Sequence, residues 1–284
     1  MAITAAMVKE LREMTGAGMM ECTKALVEAE GVKEKAIDVL RTKGLAAVAK
    51  KAGRATNEGR VTTIVADGYK SGVVLELNCE TDFVAMNEKF QAYANRIAQA
   101  ALDNKPADVD ALMQCQNDGE TVEAILTDAI HVMGENTKVA RFEVVEAGYV
   151  ATYVHGGKIG VLVQLNVEGV DVENADFKQY GKDVAMQVAS AMPIAATRDD
   201  VPADVVEHEM GIYKAQAAES GKPEQIQEKI AMGRMNKFYK ERCLTEQAFV
   251  KDPDKSIQKY TDEVAKSLGG KIEIVGFKRM QLGE

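Results

Sequence analysis

The spacing of hydrophobic positions changes along the chain, from helical at the start to strand-like further on. In residues 4–44, apolar side chains recur at intervals of three and four, which predicts three short helices. Thr4 can cap the first of them. Three helices of this length make a small module with a thin core. Residues 46–60 are small, basic and glycine-containing, which indicates a helix tail followed by a linker. Each helix is predicted to end at a glycine, namely Gly16, Gly31 and Gly44.

An internal repeat predicts the architecture of the rest of the chain. Residues 67–78 (DGYKSGVVLELN) align without gaps to residues 155–166 (HGGKIGVLVQLN), with identity at half of the twelve positions. Each copy follows a strand-like run and precedes a helix with matching aromatic positions, which predicts two copies of strand–turn–strand–helix. The predicted fold class is therefore α+β, with a helical module and then a duplicated antiparallel-sheet core with packed helices. The other predicted elements include helices at 109–114, 120–133 and 256–267 and strands at 137–147 and 271–280.

The second half of the chain carries an inserted pair of helices. Between about residues 200 and 240, apolar positions at heptad-like spacing are interrupted by Ser220-Gly221-Lys222-Pro223. A glycine stop followed by a proline start predicts a reversal of direction, and hence an antiparallel helical hairpin. The predicted domains are 1–55 for the module and linker, 56–147 for the first half of the core, and 148–284 for the second half with the hairpin.

The stretch 72–84 (GVVLELNCETDFV) joins an apolar strand to an unusual end. The strand-like residues 73–77 are followed by the polar run 78–82 and then by Phe83. Strands end where such turn-forming residues cluster, so we expect the strand tip to present a phenylalanine beside the carboxylate of Asp82. That ring must be buried either in its own domain or in a groove of another protein, and the pattern leaves both open.

Helical phase separates two neighbouring methionines of the second helix. Met19 is in phase with Cys22 and Leu26, so we expect it to face inward at least in part. Met20 falls off that face and is the better candidate for an exposed, adaptable contact.

Composition and charge limit the functional classes. The formal net charge is −9, whereas nucleic-acid-binding proteins usually carry a basic face, so we expect no direct contact with nucleic acid. No apolar run approaches the roughly 20 residues that span a membrane, and the N-terminus lacks a signal-peptide pattern, so we predict a cytoplasmic protein. The four cysteines are widely spaced and include no CxxC pair, which favours buried free thiols over disulfides or a zinc site. They are Cys22, Cys79, Cys115 and Cys243.

The sequence lacks the motifs of common catalytic sites. It has no GxxxxGK[ST] loop and no GxSxG elbow, and its histidines lack the spacing of zinc proteases. We therefore expect no cofactor and no metal, and predict that the chain is not an enzyme. One alternative stays open, a small-molecule enzyme with an α+β cleft that uses Cys79 and His155. It would require a thiol of low pKa at Cys79.

Four segments of the chain resemble those of one protein family. Residues 8–26 (VKELREMTGAGMMECTKAL) resemble the N-terminal signature of bacterial translation elongation factor Ts, and residues 78–84 (NCETDFV) resemble its second signature. Residues 133–136 (MGEN) and 155–160 (HGGKIG) also match in place. The resemblance covers essentially the whole chain and implies that the N-terminal module is of the UBA-like type.

The resemblance implies a guanine nucleotide exchange factor of protein biosynthesis. Such a factor binds elongation factor Tu with GDP and promotes GDP release during translation elongation. Carried over by position, Asp82 and Phe83 would enter between two helices of the GTPase near its magnesium site. An adaptor that binds a GTPase without exchange activity stays the alternative, and a homodimer or a two-plus-two complex is left open. The implied partner-binding residues are Arg12, Met19, Met20, Thr81, Asp82, Phe83, Val84, Met133 and His155.

Overall fold

The computed structural model describes residues 3–15, 17 and 19–284, with the side chains of residues 44–50 outside that description. Its architecture is α+β, with N-terminal helices followed by two three-stranded sheets and their packed helices, which confirms the predicted fold class. The chain folds into two compact units. One takes residues up to Thr62 with Leu75–Phe142 and Gln281–Glu284, and the other takes Thr63–Val74 with Glu143–Met280. The domain boundaries drawn from the sequence stay a prediction.

The N-terminal module contains the three predicted helices, α1 (Ala5–Thr15), α2 (Met19–Glu28) and α3 (Lys33–Lys51). The Thr4 hydroxyl accepts a hydrogen bond from the amide of Met7 at 3.3 Å, as expected of a cap. α1 ends at Thr15, and the predicted stop at Gly16 lies outside the described residues. The small core of the module is formed by Val8, Leu11, Ala17, Cys22, Ala25, Leu26, Ala29, Ala36 and Leu40.

Two glycines near these helices behave differently. Gly31 has a φ of +81° and donates to the carbonyl of Leu26 at 2.8 Å, which closes the end of α2 as predicted. The prediction that the third helix ends at Gly44 is wrong, because α3 continues to Lys51. A glycine inside a helix costs only about 1 kcal/mol, and the alanines and lysines that follow it are good helix formers.

The first half of the core contains a three-stranded sheet, a short two-stranded hairpin and four helices. In chain order its elements are β1 (Glu58–Val65), β2 (Ser71–Cys79), α4 (Asp82–Ala85), α5 (Glu88–Asn104), α6 (Val109–Gln114), β3 (Gln116–Asn117), β4 (Glu120–Thr121), α7 (Val122–Met133) and β5 (Lys138–Glu146). The sheet has the order β1-β2-β5, so the predicted closing strand lies beside the second strand of the hairpin. β3 and β4, of two residues each, form a hairpin. The helix that was predicted to start at 120 therefore starts after this hairpin, at Val122.

The second half repeats this plan and adds the inserted helices. Its elements are β6 (Tyr149–His155), β7 (Ile159–Glu168), α8 (Ala175–Ala191), α9 (Ala203–Ala218), α10 (Glu224–Arg242), a 3₁₀ turn (Leu244–Glu246), β8 (Ala248–Phe249), β9 (Asp252–Ser256), α11 (Ile257–Leu268) and β10 (Lys271–Gln281). The sheet has the order β10-β7-β6, and β6 pairs antiparallel with β7 from Tyr149 opposite Leu165 to His155 opposite Ile159. α9 and α10 are the predicted helical hairpin.

The two halves confirm the internal repeat in their sheets and in their first long helices. Each half has a strand hairpin, then a long helix, and later a third strand beside the second strand of the hairpin. Four positions match between these two helices, and three of them are fully buried in both copies, namely Phe90 and Phe177, Ile97 and Val184, and Ala98 and Ala185. The fourth differs, since Tyr180 is fully buried whereas Tyr93 is partly exposed and hydrogen-bonds Asp128.

Candidate protein-binding site

Phe83 lies on the surface of the unit that contains it. β2 ends at Cys79, and Phe83 belongs to the single turn α4, so the expectation of a strand tip is corrected to a helical turn. Thr81 caps this turn, because its hydroxyl accepts from the amide of Val84 at 3.4 Å. Phe83 is 79% exposed. Of the two alternatives left by the sequence, burial in its own domain is therefore wrong.

The turn that carries Phe83 has one buried side and one exposed side. Ala85 is buried and Val84 is half-buried, whereas Asp82 and Phe83 are exposed. Met86 follows the turn and is 64% exposed, three residues after Phe83 and so on the same side. The turn thus presents two large apolar side chains and one carboxylate. Sequence reasoning missed Met86, although its spacing from Phe83 could have indicated it.

A carboxylate from a distant segment holds the residues just before this turn. Oε2 of Glu135 accepts from the amides of Glu80 and Thr81, each at 3.0 Å. Its other oxygen accepts from the hydroxyl of Thr81 at 2.6 Å. Three donors from two consecutive residues therefore converge on one side chain.

The segments around Glu80 and Glu135 are joined a second time, now with Glu80 as the acceptor. Oε1 of Glu80 accepts from the amide of Asn136 at 2.6 Å and from Arg54 at 3.4 Å. The side-chain amide of Asn136 donates to the carbonyl of Arg54 at 2.9 Å and to that of Ala52 at 3.5 Å. The segment between α3 and β1 is thereby attached to the same cluster. Sequence reasoning assigned no role to Glu80, Glu135 or Asn136.

The thiol of Cys79 is unsuited to nucleophilic chemistry. It is fully buried, and its sulfur donates to the carbonyl of Thr81 at 3.1 Å. Burial, and after it the nearby carboxylate of Glu135, raise the pKa of the Cys79 thiol to about 12. A reactive cysteine needs the opposite shift, toward the thiolate. Cys22 and Cys243 are also buried and free, as predicted, whereas Cys115 is partly exposed.

The N-terminal module carries three of the predicted contact residues. Arg12 is exposed on α1. Met20 is 73% exposed, as expected from its helical phase, and Met19 is 48% exposed, so it faces inward only in part. Met14, which sequence reasoning did not single out, is also exposed at the end of α1. The module therefore presents a group of flexible thioether side chains, which suit an adaptable protein contact.

Met133 and His155 lie at the ends of their elements. Met133 is the half-buried last residue of α7, and Gly134 ends that helix with a φ of +77°. His155 belongs to the other unit, where it is the exposed last residue of β6. Its Nδ1 lies 3.0 Å from the hydroxyl of Tyr153, and Gly156 and Gly157 turn the chain behind it. Both positions leave the side chain at least partly accessible on its own unit.

The unit that carries Phe83 also contains a cleft of about 950 Å³ between α1, α3, α5 and α7. In the cleft wall, Nε2 of the mostly buried His131 lies 3.5 Å from the carboxylate of Glu21. None of the predicted contact residues lies in that wall. Throughout the described part of the chain, no three His, Cys, Asp or Glu side chains are grouped as metal ligands would be. The described helices are all too short or too polar to cross a membrane.

Comparison with known proteins identifies the family. A family model described as "Elongation factor TS" matches residues 80–284. The chain belongs to the elongation factor Ts family. Among curated members, elongation factor Ts of Trichlorobacter lovleyi is 49% identical over 291 residues, which covers 100% of this chain and 94% of that protein. Those of Clostridium perfringens (strain SM101 / Type A) and Clostridium botulinum (strain Eklund 17B / Type B) are 49% and 48% identical over 286 residues, each covering 99% of this chain and 93% of that protein.

Membership in the elongation factor Ts family confirms the resemblance drawn from residues 8–26 and 78–84. The family model includes the turn that carries Phe83, as well as Met133 and His155. Arg12, Met19 and Met20 precede the matched residues, but they fall within the alignment to the Trichlorobacter protein, which covers the whole chain. The likeness to the family therefore extends over all the residues predicted to make contacts.

Proposed function

We propose that this protein is a guanine nucleotide exchange factor, which binds elongation factor Tu with GDP and promotes GDP release during translation elongation in the cytoplasm. One observation carries the proposal, namely that Phe83 is 79% exposed beside an exposed carboxylate in the segment resembling the family's second signature. Exposure of an aromatic ring to water is unfavourable, and burial of the ring in a partner would be favourable. Membership of the elongation factor Ts family supports the identity of that partner.

The proposed activity requires binding and no covalent step. A factor that binds the nucleotide-free GTPase more tightly than the GDP-bound form must weaken GDP binding by the same factor, because the two equilibria are linked. Phe83 contributes in this scheme if its ring is buried only after two helices of the GTPase move apart. Asp82, next to it, would perturb the water shell of the partner's magnesium or accept from its shifted backbone. These contacts favour the form from which GDP leaves.

The remaining predicted residues supply the area that one ring cannot. Arg12, Met19 and Met20 would bind through the N-terminal module, and Met133 and His155 through the core. Each is exposed or half-buried in its own unit, which is compatible with a contact role. A specific interface buries on the order of 800 Å² per partner, so several such patches are needed beside the Phe83 turn.

Two other functions are less well supported. A thiol enzyme that uses Cys79 needs a low pKa, and the raised pKa of about 12 argues against it. An adaptor would bind the GTPase and leave its nucleotide in place. No contact in the described residues favours an adaptor over an exchange factor, so only a rate measurement separates the two.

The experiment is the release of fluorescent GDP from elongation factor Tu in the presence of excess unlabelled GDP. We expect the release rate to rise with the concentration of this protein and then to level off. Binding to elongation factor Tu without faster release would refute the exchange function and favour the adaptor. Size-exclusion chromatography of the protein with and without elongation factor Tu would then determine whether a one-to-one complex, a homodimer or a two-plus-two complex forms.

A further inference from the structure

Two segments that are far apart in sequence are locked together beneath the Phe83 turn. Glu80 and Thr81 form one side, and Glu135 and Asn136 form the other; we call these four residues the clamp. Four described hydrogen bonds join the two sides: three run from Glu80 and Thr81 to the Glu135 carboxylate, and one runs from the amide of Asn136 to the Glu80 carboxylate. Arg54, outside the clamp, donates a further bond to Glu80. The clamp contains no atom of Phe83 itself, so any effect it has on the ring acts through the backbone.

We propose that Glu135 is a positioning residue that fixes the orientation in which Phe83 is presented to a partner. This inference rests on the proposed function, because it assigns Glu135 a role in the contact that Phe83 would make. Glu135 touches no partner in this proposal. It holds the two residues from which the turn begins.

The hydrogen bonds of Glu135 reach the point that sets the direction of the turn. β2 ends at Cys79 and α4 begins at Asp82, so Glu80 and Thr81 are the only residues between the strand and the turn. Both of their amides donate to Glu135, at 3.0 Å each. With these two residues fixed, the first helical residues and the Phe83 ring have one direction relative to the sheet. Without them, neither amide of this two-residue link would have its carboxylate partner. The turn would keep its own cap, the buried Ala85 and the bonds from Asn136 and Arg54 to the side chain of Glu80.

A carboxylate suits this position better than other side chains. All three partners of Glu135 are donors, and an ionised carboxylate is an acceptor at both oxygens. Hydrogen bonds to a charged acceptor are also stronger than neutral ones. A glutamine would keep one acceptor oxygen for the two amides, but its NH₂ group would face the Thr81 hydroxyl, which could no longer donate there. Glu135→Gln is therefore a conservative test variant, and Glu135→Ala is the complete one.

The value of such a clamp lies in preorganisation. A partner that binds a mobile turn must also order it, and ordering one residue's backbone costs enough to weaken binding by about tenfold or more. We therefore expect Glu135→Ala to lower the stimulation of GDP release about tenfold, and Glu135→Gln to lower it less. A side chain that acts only on overall stability would change the amount of folded protein but not the contribution of Phe83.

The test is a double-mutant cycle in the fluorescent-GDP release assay. It uses Glu135→Ala and Phe83→Ala alone and together, in the full chain with elongation factor Tu. If Glu135 acts through Phe83, its substitution loses about tenfold in the parent chain but less than twofold once Phe83 is alanine. Equal losses in both backgrounds, or no loss in the parent chain, would overturn the inference. Asp108→Ala is the matched control, since it removes a carboxylate that caps α6 in the same unit, and it should leave release unchanged.

A measurement on the protein alone tests the positioning role of Glu135 independently of the proposed exchange function. Amide hydrogen exchange of residues 80–86 should become at least about fivefold faster in Glu135→Ala, while the Asp108→Ala control should match the parent chain. Unchanged exchange in this segment overturns the positioning role whatever the release assay gives. Faster exchange in a protein that does not stimulate GDP release would instead refute the exchange function and leave the structural role of Glu135 standing. Glu135→Gln, which keeps an acceptor for the two amides, serves for both measurements if the alanine variant does not fold.

Discussion

Replacing Phe83 with alanine should separate binding from folding. Full burial of a phenylalanine side chain stabilises by about 1.5–3 kcal/mol. Because Phe83 is 79% exposed in the free protein, roughly four fifths of that free energy, about 2 kcal/mol, is available only on contact with a partner. Since each 1.4 kcal/mol is a factor of ten, the loss corresponds to about thirtyfold in the stimulation of GDP release.

The same side chain contributes little to the free energy of unfolding. The fifth of its surface that is already buried corresponds to about 0.3–0.6 kcal/mol. For a chain of this size, that is a change in melting temperature of about 1–2 °C. Alanine is also a better helix former than phenylalanine, which offsets part of this loss. We therefore expect Phe83→Ala to melt within about 2 °C of the parent protein.

The assay is stopped-flow release of fluorescent GDP from elongation factor Tu, with thermal unfolding measured on the same preparations. Val250→Ala is a suitable control, because it removes an exposed apolar side chain elsewhere in the chain, in the other unit, and should leave release unchanged. A large loss of stability with unchanged release would refute the reasoning, since it would mean that the ring belongs to the protein's own core. An equal loss of release in the control would show that the assay reports general surface apolarity and not this turn.

Three further predictions concern the reactivity of the cysteines, a buried phenol and a buried ion pair. In the native protein at pH 8, a thiol reagent should label the partly exposed Cys115 and spare Cys79, whose pKa is raised to about 12; rapid labelling of Cys79 would revive the thiol-enzyme alternative. Burial raises the pKa of the Tyr180 phenol above its unfolded value of about 10, so its contribution to stability is complete below pH 10 and is lost as the pH rises further. Urea unfolding should show that the free energy of unfolding declines above pH 10. In Tyr180→Phe, the slope of this free energy against pH should be smaller by up to about 1.4 kcal/mol per pH unit. Arg141→Ala should destabilise by about 2–3 kcal/mol in urea unfolding, because it leaves the carboxylate of Glu76, which is 2% exposed, without its 2.9 Å partner.

The repeat was predictable because its signals are local and occur twice. Glycine, lysine and aliphatic positions coincide in the two hairpins, and each hairpin is followed at nearly the same distance by a helix that shares three of four buried positions. The inserted helices were predictable for a similar reason. Gly221 takes a φ of +65° between them, which a glycine adopts without strain, and Pro223 precedes the returning helix.

The small hairpin before α7 was missed although the sequence contained its signal. β3 and β4 have two residues each, too few for any periodicity to be recognised. Between them, Asp118 and Gly119 have φ values of +52° and +81°, the left-handed pair that a type I′ turn requires. The Asp-Gly pair therefore forms the turn of a hairpin, and the helix begins only after that hairpin.

The clamp could not be predicted from local pattern at all. Glu135 and Thr81 are 54 residues apart in sequence, and their contact depends on how α7 and β2 end beside each other. In the sequence, Glu135 is one of many carboxylates and has no feature that separates it from solvated charge. Only the resemblance of residues 133–136 to the family marked this segment, and it gave no reason for the glutamate.

The outward direction of Phe83 follows from the change of geometry at Thr81. In a continuing strand, side chains two apart lie on the same face, so Phe83 would share the face of the fully buried Cys79. A helix rotates by about 100° per residue, which places positions two apart on nearly opposite sides. Once the Thr81 cap starts a helical turn, burial of Ala85 turns Phe83 to the solvent and brings Met86 beside it. The exposed ring is thus a consequence of where the strand stops, and the bonds of Glu135 to Glu80 and Thr81 lie at that point.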